Sequence, residues 1–100
     1  MGYLHGQEPK LLHRDLKSMN VLLTGPLAQD SPVNAKVADL GSACSLKRDS
    51  SGNFLAMTKC VGAANWTAPE VYTGSYDEKA DVYSYAMLMY EILALEIPFE

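Results

Sequence analysis

The run Val82 to Leu95 is apolar on nearly every face and carries a single charge, Glu91. A helix of that kind cannot lie half in water, so it has to be wrapped by other elements. Just ahead of it, Asp77-Glu78-Lys79-Ala80-Asp81 places acids where the positive end of a helix dipole favours them. A central buried helix over about residues 78–95 is therefore expected. The run is too short to cross a bilayer comfortably, which leaves the interior of a globular fold as its place. Too few other apolar segments exist in these residues to surround it, so the helix expects further neighbours.

With 100 residues the chain has room for one small domain. Residues 1–6 read as the tail of a helix, with Gly6 as its stop. A turn around Pro9 leads into His13 to Asn20, polar and without period, followed by the strand-like Val21-Leu22-Leu23. Turn formers at Gly25-Pro26, Asp30-Ser31-Pro32 and Asn34 precede Lys36-Val37-Ala38, the expected return strand of a β-hairpin. Residues 39–66 alternate small, polar and charged types and read as an extended surface segment.

Hydrophobic residues at 48% and charged ones at 20% describe a water-soluble globular protein. A net charge of -4 supplies no basic patch for nucleic acid or an anionic membrane, and neither partner is expected. Cys44 and Cys60 have no Cys or His at zinc-binding spacing around them. Free thiols in a reducing compartment are the default, and with no targeting segment at Met1 to Gly6 the expected location is the cytoplasm.

His13-Arg14-Asp15-Leu16-Lys17-Ser18-Met19-Asn20 matches the catalytic loop of protein kinases, over residues 13–20. Asp39-Leu40-Gly41 follows as the metal-binding loop, with Leu in place of the usual Phe, and Ala68-Pro69-Glu70 closes an activation segment spanning 39–70. Asp81-Val82-Tyr83-Ser84-Tyr85 resembles the start of that family's central helix. Four motifs in order over the whole chain make the resemblance specific. It implies an α+β, protein-kinase-like fold, here part of the C-terminal lobe: mostly helical, with a short β-hairpin and the central helix.

The resemblance also implies an activity, transfer of the terminal phosphoryl group of ATP to hydroxyls of a protein substrate with magnesium as cofactor. Asp15 would orient the acceptor hydroxyl, and Lys17 would neutralise charge building on the transferred group. Asn20 and Asp39 would hold magnesium, a hard cation that prefers oxygen ligands. Lys17, Asn20, Leu22 and Asp39 would together contact the nucleotide, with Leu22 under the adenine ring. Leu40 and His13 would belong to a packed internal column. Arg14 resembles the arginine that binds a phosphorylated activation loop, and Thr58 lies near the usual modified position, with Ser50 and Ser51 as alternatives. The plain readings, exposed hydroxyls at these three and ordinary core at His13, Leu22 and Leu40, stand beside these roles.

The loop sequence with Lys17 and Ser18, together with Trp66 just before Ala68-Pro69-Glu70, is nearest to tyrosine-kinase-like enzymes, for which serine/threonine specificity is usual. Ser75 to Met87 resembles Roco or leucine-rich-repeat kinases. Two departures matter. Ala63 stands where the family has a threonine whose hydroxyl ties the activation segment to the catalytic Asp and Lys. No Gly-rich loop, no Val-Ala-x-Lys lysine and no partner glutamate occur in these residues, and the sequence ends at Pro98-Phe99-Glu100. A fragment without the N-lobe, inactive by itself, is expected. The alternative function is a pseudokinase or scaffold that binds partners with little catalysis.

Overall fold

The computed structural model describes residues 1–25, 32–46, 50–51, 62–74 and 76–100. A short helix α1 (Gly2–His5) ends at Gly6, whose N–H closes on the Gly2 carbonyl at 2.9 Å. Strand β1 (Leu11–Leu12) follows, then the polar loop from His13, a 3-10 turn over Ser18–Asn20 and strand β2 (Val21–Leu23). Strand β3 (Ala35–Val37) pairs antiparallel with β2, with Val21 opposite Val37 and Leu23 opposite Ala35. The hairpin expected from the turn formers is present, its return strand one residue earlier than the apolar pattern indicates.

After β3 the chain makes a 3-10 turn over Leu40–Ser42 and enters strand β4 (Cys44–Ser45), which pairs with β1 in the register Leu11 to Ser45 and Leu12 to Cys44. This second sheet corrects the reading of 39–66 as surface throughout: Leu46 is buried and its N–H donates to the Lys10 carbonyl at 2.7 Å. Two further 3-10 turns, Ala64–Trp66 and Pro69–Thr73, carry the chain to helix α2 (Lys79–Ala94). Pro69 begins the second of these and Gly74, at φ 78°, ends it in the left-handed conformation that glycine adopts without strain.

Leu12, Leu46, Ala68, Val71, Tyr76 and Ala80 form the core, with Tyr83 packed against it. Strand β1, the stretch after β4, the Ala68-Pro69-Glu70 segment and the first turn of α2 thus bury one another. Along α2 the buried positions Ala80, Asp81, Ser84 and Leu88 fall on one stripe, since residues four apart stack on a helix face. Helix α2 is not buried all round, contrary to the expectation for an apolar run. Val82, Tyr85, Ile92 and Leu93 are exposed, Leu93 to 79%, because no described element packs on that side. Among the described residues no helix is long and apolar enough to cross a membrane.

Candidate functional site

The register of the β2–β3 hairpin brings the candidate residues together. Val21 faces Val37, so Asn20 and Ala38 stand opposite one another at the open end, and the Ala38 N–H donates to the Asn20 carbonyl at 2.8 Å. Asp39 is the next residue. Two oxygen-bearing side chains nineteen positions apart in sequence thereby reach one end of a single hairpin.

Asp15 lies in the polar loop on the same side. Asn20 donates through Nδ2 to the Asp15 backbone carbonyl at 2.7 Å and to its carboxylate Oδ2 at 3.1 Å. Lys17 Nζ approaches Oδ1 of the same carboxylate at 3.8 Å. The Asp15 carboxylate is therefore held between an amide and an ammonium group, partly exposed and open to a hydroxyl. Lys17, Asn20 and Asp15 meet because the 3-10 turn over Ser18–Asn20 folds the Asn20 N–H back to the Lys17 carbonyl at 3.0 Å.

His13 is fully buried and fixes this loop from below. Its Nδ1 accepts the Asp15 N–H at 3.2 Å and its Nε2–H donates to the Ala38 carbonyl at 2.7 Å, which assigns the tautomer. One imidazole thus spans from the residue before Asp39 to Asp15 itself. His13 and Leu40, expected in one internal column, are apart: His13 is inside and Leu40 is 57% exposed, because the turn over Leu40–Ser42 points outward among the described residues.

Asp39 is exposed and sits at φ 60°, its side chain accepting the Gly41 N–H at 3.1 Å. The left-handed backbone is one that Asp tolerates better than most residues, through such a local bond. Asn20 and Asp39 supply hard oxygen donors suited to magnesium. No group of three or more His, Cys, Asp or Glu side chains able to hold a metal occurs among the described residues. Leu22, 58% exposed on the hairpin, presents an apolar surface beside these groups.

Asp81 was read from sequence only as a helix-start acid. It is 1% exposed, and its carboxylate accepts the backbone N–H groups of His13 at 2.8 Å and Arg14 at 2.9 Å. His5 Nε2 donates to it as well, at 2.8 Å. Charge-assisted bonds from three donors offset the cost of burying a carboxylate and fasten the polar loop to α2. The signal available in sequence was its position at the head of the apolar helix, which says nothing of its partners.

Arg14 has φ 69°, and its side chain donates to the Ser42 carbonyl at 2.6 Å and the Tyr76 hydroxyl at 3.3 Å. It links the polar loop to the chain after Asp39 and to the core. Thr58 lies outside the described residues, while Ser50 and Ser51 are exposed. Gly62, at φ 94°, lies so close to the loop that a Cβ there would come within 2.4 Å of the Arg14 carbonyl oxygen. Next to it the Ala63 carbonyl accepts the Thr67 hydroxyl at 2.6 Å.

Between the residue before β1 and the start of α2, Lys10 Nζ meets Glu78 Oε1 at 2.8 Å. Its hydrogen bond, with a smaller contribution from the Glu78 backbone, holds that carboxyl below the usual range, slightly opposed by burial.

A family profile described as "Protein kinase domain" matches residues 1–100. The chain is 42% identical over 101 residues to the Dictyostelium discoideum protein named "Probable serine/threonine-protein kinase roco8", covering 100% of this chain and 5% of that protein. It is 41% identical over 106 residues to "Dual specificity protein kinase splA" of the same organism, covering 98% and 4%. The bovine "Mitogen-activated protein kinase kinase kinase 7" is 38% identical over 102 residues, covering 100% of the chain and 16% of the relative. The chain therefore spans a small part of the length of these curated relatives.

Proposed function

The chain belongs to the protein kinase family, and on that premise we propose that it carries the phosphoryl-transfer and metal-binding loops of an enzyme that moves the terminal phosphate of ATP to serine or threonine hydroxyls of protein. The observation that supports this reading most is the joint placement of Asp15, Lys17 and Asn20 around one carboxylate, with Asp39 at the same hairpin end. In it residues 13–20 are the catalytic loop, 39–41 the metal-binding loop, 39–70 the activation segment and about 78–95 the central helix.

Asp15 accepts a hydrogen bond from the acceptor hydroxyl, orients it and takes its proton. Lys17 places positive charge beside the transferred group, and Leu22 carries the adenine face. Asn20 and Asp39 hold magnesium through oxygen. Magnesium held there would supply positive charge to screen the phosphates. Arg14 pairs with a phosphorylated activation loop, with Thr58 as the modified residue. The kinase belongs to the tyrosine-kinase-like group and acts in the cytoplasm, free of nucleic acid and membrane. The name of the roco8 relative supports serine/threonine acceptors, and the dual-specificity name of splA makes tyrosine the acceptor to be tested against them.

Ala63 favours a second reading, a pseudokinase or scaffold, because it lacks the hydroxyl that would join the activation segment to Asp15 and Lys17. A chimera in which residues 1–100 replace the matching 101 residues of the roco8 relative separates the two. Incubated with terminally labelled ATP, magnesium and a mixed peptide library, it is expected to yield labelled phosphoserine and phosphothreonine. Label confined to phosphotyrosine defeats the specificity, and no incorporation favours the scaffold.

A further inference from the structure

Glu91 is the one charge in the apolar run of α2, and both of its oxygens are engaged by residues the chemistry above leaves unused. Oε1 accepts the Ser18 hydroxyl at 2.7 Å, and Oε2 accepts the Trp66 indole N–H at 3.0 Å. Ser18 directly follows Lys17 in the catalytic loop, whereas Trp66 ends the 3-10 turn that leads into Ala68-Pro69-Glu70. Trp66 is 5% exposed, so its N–H needs an acceptor inside the protein. A carboxylate is the strong choice, since bonds to a charged acceptor are about twice as strong as neutral ones.

Ser18 and Trp66 are two of the residues that mark the chain's resemblance to tyrosine-kinase-like enzymes, and the structure joins them through a third. The segment from Gly62 to Trp66 is thereby held to the catalytic loop at both ends. At one end the Gly62 backbone abuts the Arg14 carbonyl. At the other, Glu91 bridges Trp66 to Ser18. Both donors share one side chain, so displacing either one pulls the Glu91 carboxylate away from the other.

We propose that Glu91 is a positioning residue that couples the catalytic loop to the end of the activation segment, through Ser18 on one side and Trp66 on the other. The inference rests on the kinase reading of residues 13–20. It requires Ser18→Ala and Trp66→Phe to act as one lesion, because each breaks the same three-part link. It also requires glutamine to serve at position 91, because its amide oxygen accepts the indole N–H while its amide nitrogen donates to the Ser18 oxygen.

Steady-state kinetics of the roco8 chimera test this. Glu91→Ala is expected to lower kcat about tenfold with KM for ATP within about twofold, and Glu91→Gln to recover most of that loss. In the Ser18→Ala and Trp66→Phe cycle, the double variant is expected to lose no more than about twofold beyond the worse single one. Additive losses in the cycle, or a Glu91→Ala protein as active as the parent, overturn the coupling while the kinase reading stands. If Glu91→Ala melts too low to assay, the cycle alone decides, because neither of its members removes the carboxylate. An unsubstituted chimera without Asp15-dependent transfer overturns the kinase reading, and this inference with it.

Discussion

The Asp81 carboxylate, on the first turn of α2, accepts the backbone N–H of Arg14 at 2.9 Å and so fixes the residue immediately before Asp15. Its other oxygen takes the His13 N–H at 2.8 Å, which makes the position of the proposed catalytic loop a property of the helix beneath it. Any change at Asp81 is felt at Asp15 through the backbone.

Asp81→Asn leaves one accepting oxygen and turns an amide donor toward N–H groups that need an acceptor. At a site 1% exposed, one stranded donor costs about 1–3 kcal/mol. The midpoint of urea unfolding of the chimera is expected to fall accordingly, and kcat with it. An unchanged midpoint contradicts the anchoring role.

Ala63→Thr in the chimera is expected to raise kcat about fivefold, the equivalent of one neutral hydrogen bond of about 1 kcal/mol. The neighbouring Gly62 lies against the Arg14 carbonyl, which puts position 63 beside the proposed catalytic loop. Unchanged kcat, with the melting temperature preserved, means that the added hydroxyl makes no productive bond to Asp15 or Lys17.

Lys10 and Glu78 give a small pH dependence with a fixed sign. The Glu78 carboxyl is lowered from 4.5, so its contribution to stability is present above that value and is lost as pH falls through the lower folded value. The pair is largely in solvent, which limits the effect to roughly 0–1 kcal/mol. Urea midpoints measured from pH 7 to pH 3 are expected to fall slightly less in Lys10→Met than in the parent. A steeper acid loss in the variant contradicts the pairing.

The loops proposed as catalytic and metal-binding stand out in the sequence because His13 to Asn20 and Asp39 to Gly41 are contiguous motifs, and a local hairpin brings their members close in space. Helix α2 was legible from its apolar run, to within a residue at each end. The β1–β4 sheet was not, because two-residue strands more than thirty positions apart leave no period to read. Nor were the partners of Asp81 and Glu91: a carboxylate's exposure and donors are decided by tertiary packing, and in sequence the two look like any helix acid. Leu40, apolar and placed by motif, turned out exposed because burial depends on what covers a residue as well as on what it is.

Asp15→Asn is the most direct test of the account, because it deletes the carboxylate and keeps the shape that Asn20 and Lys17 hold. Measured as kcat in the roco8 chimera with labelled ATP, the expected loss is about 10² to 10⁴-fold, the range for removing a positioned general base. KM for ATP and the melting temperature are expected to stay near the parent's. Transfer within a few-fold of the parent would contradict the assignment of Asp15, and with it the reading of residues 13–20 as a catalytic loop.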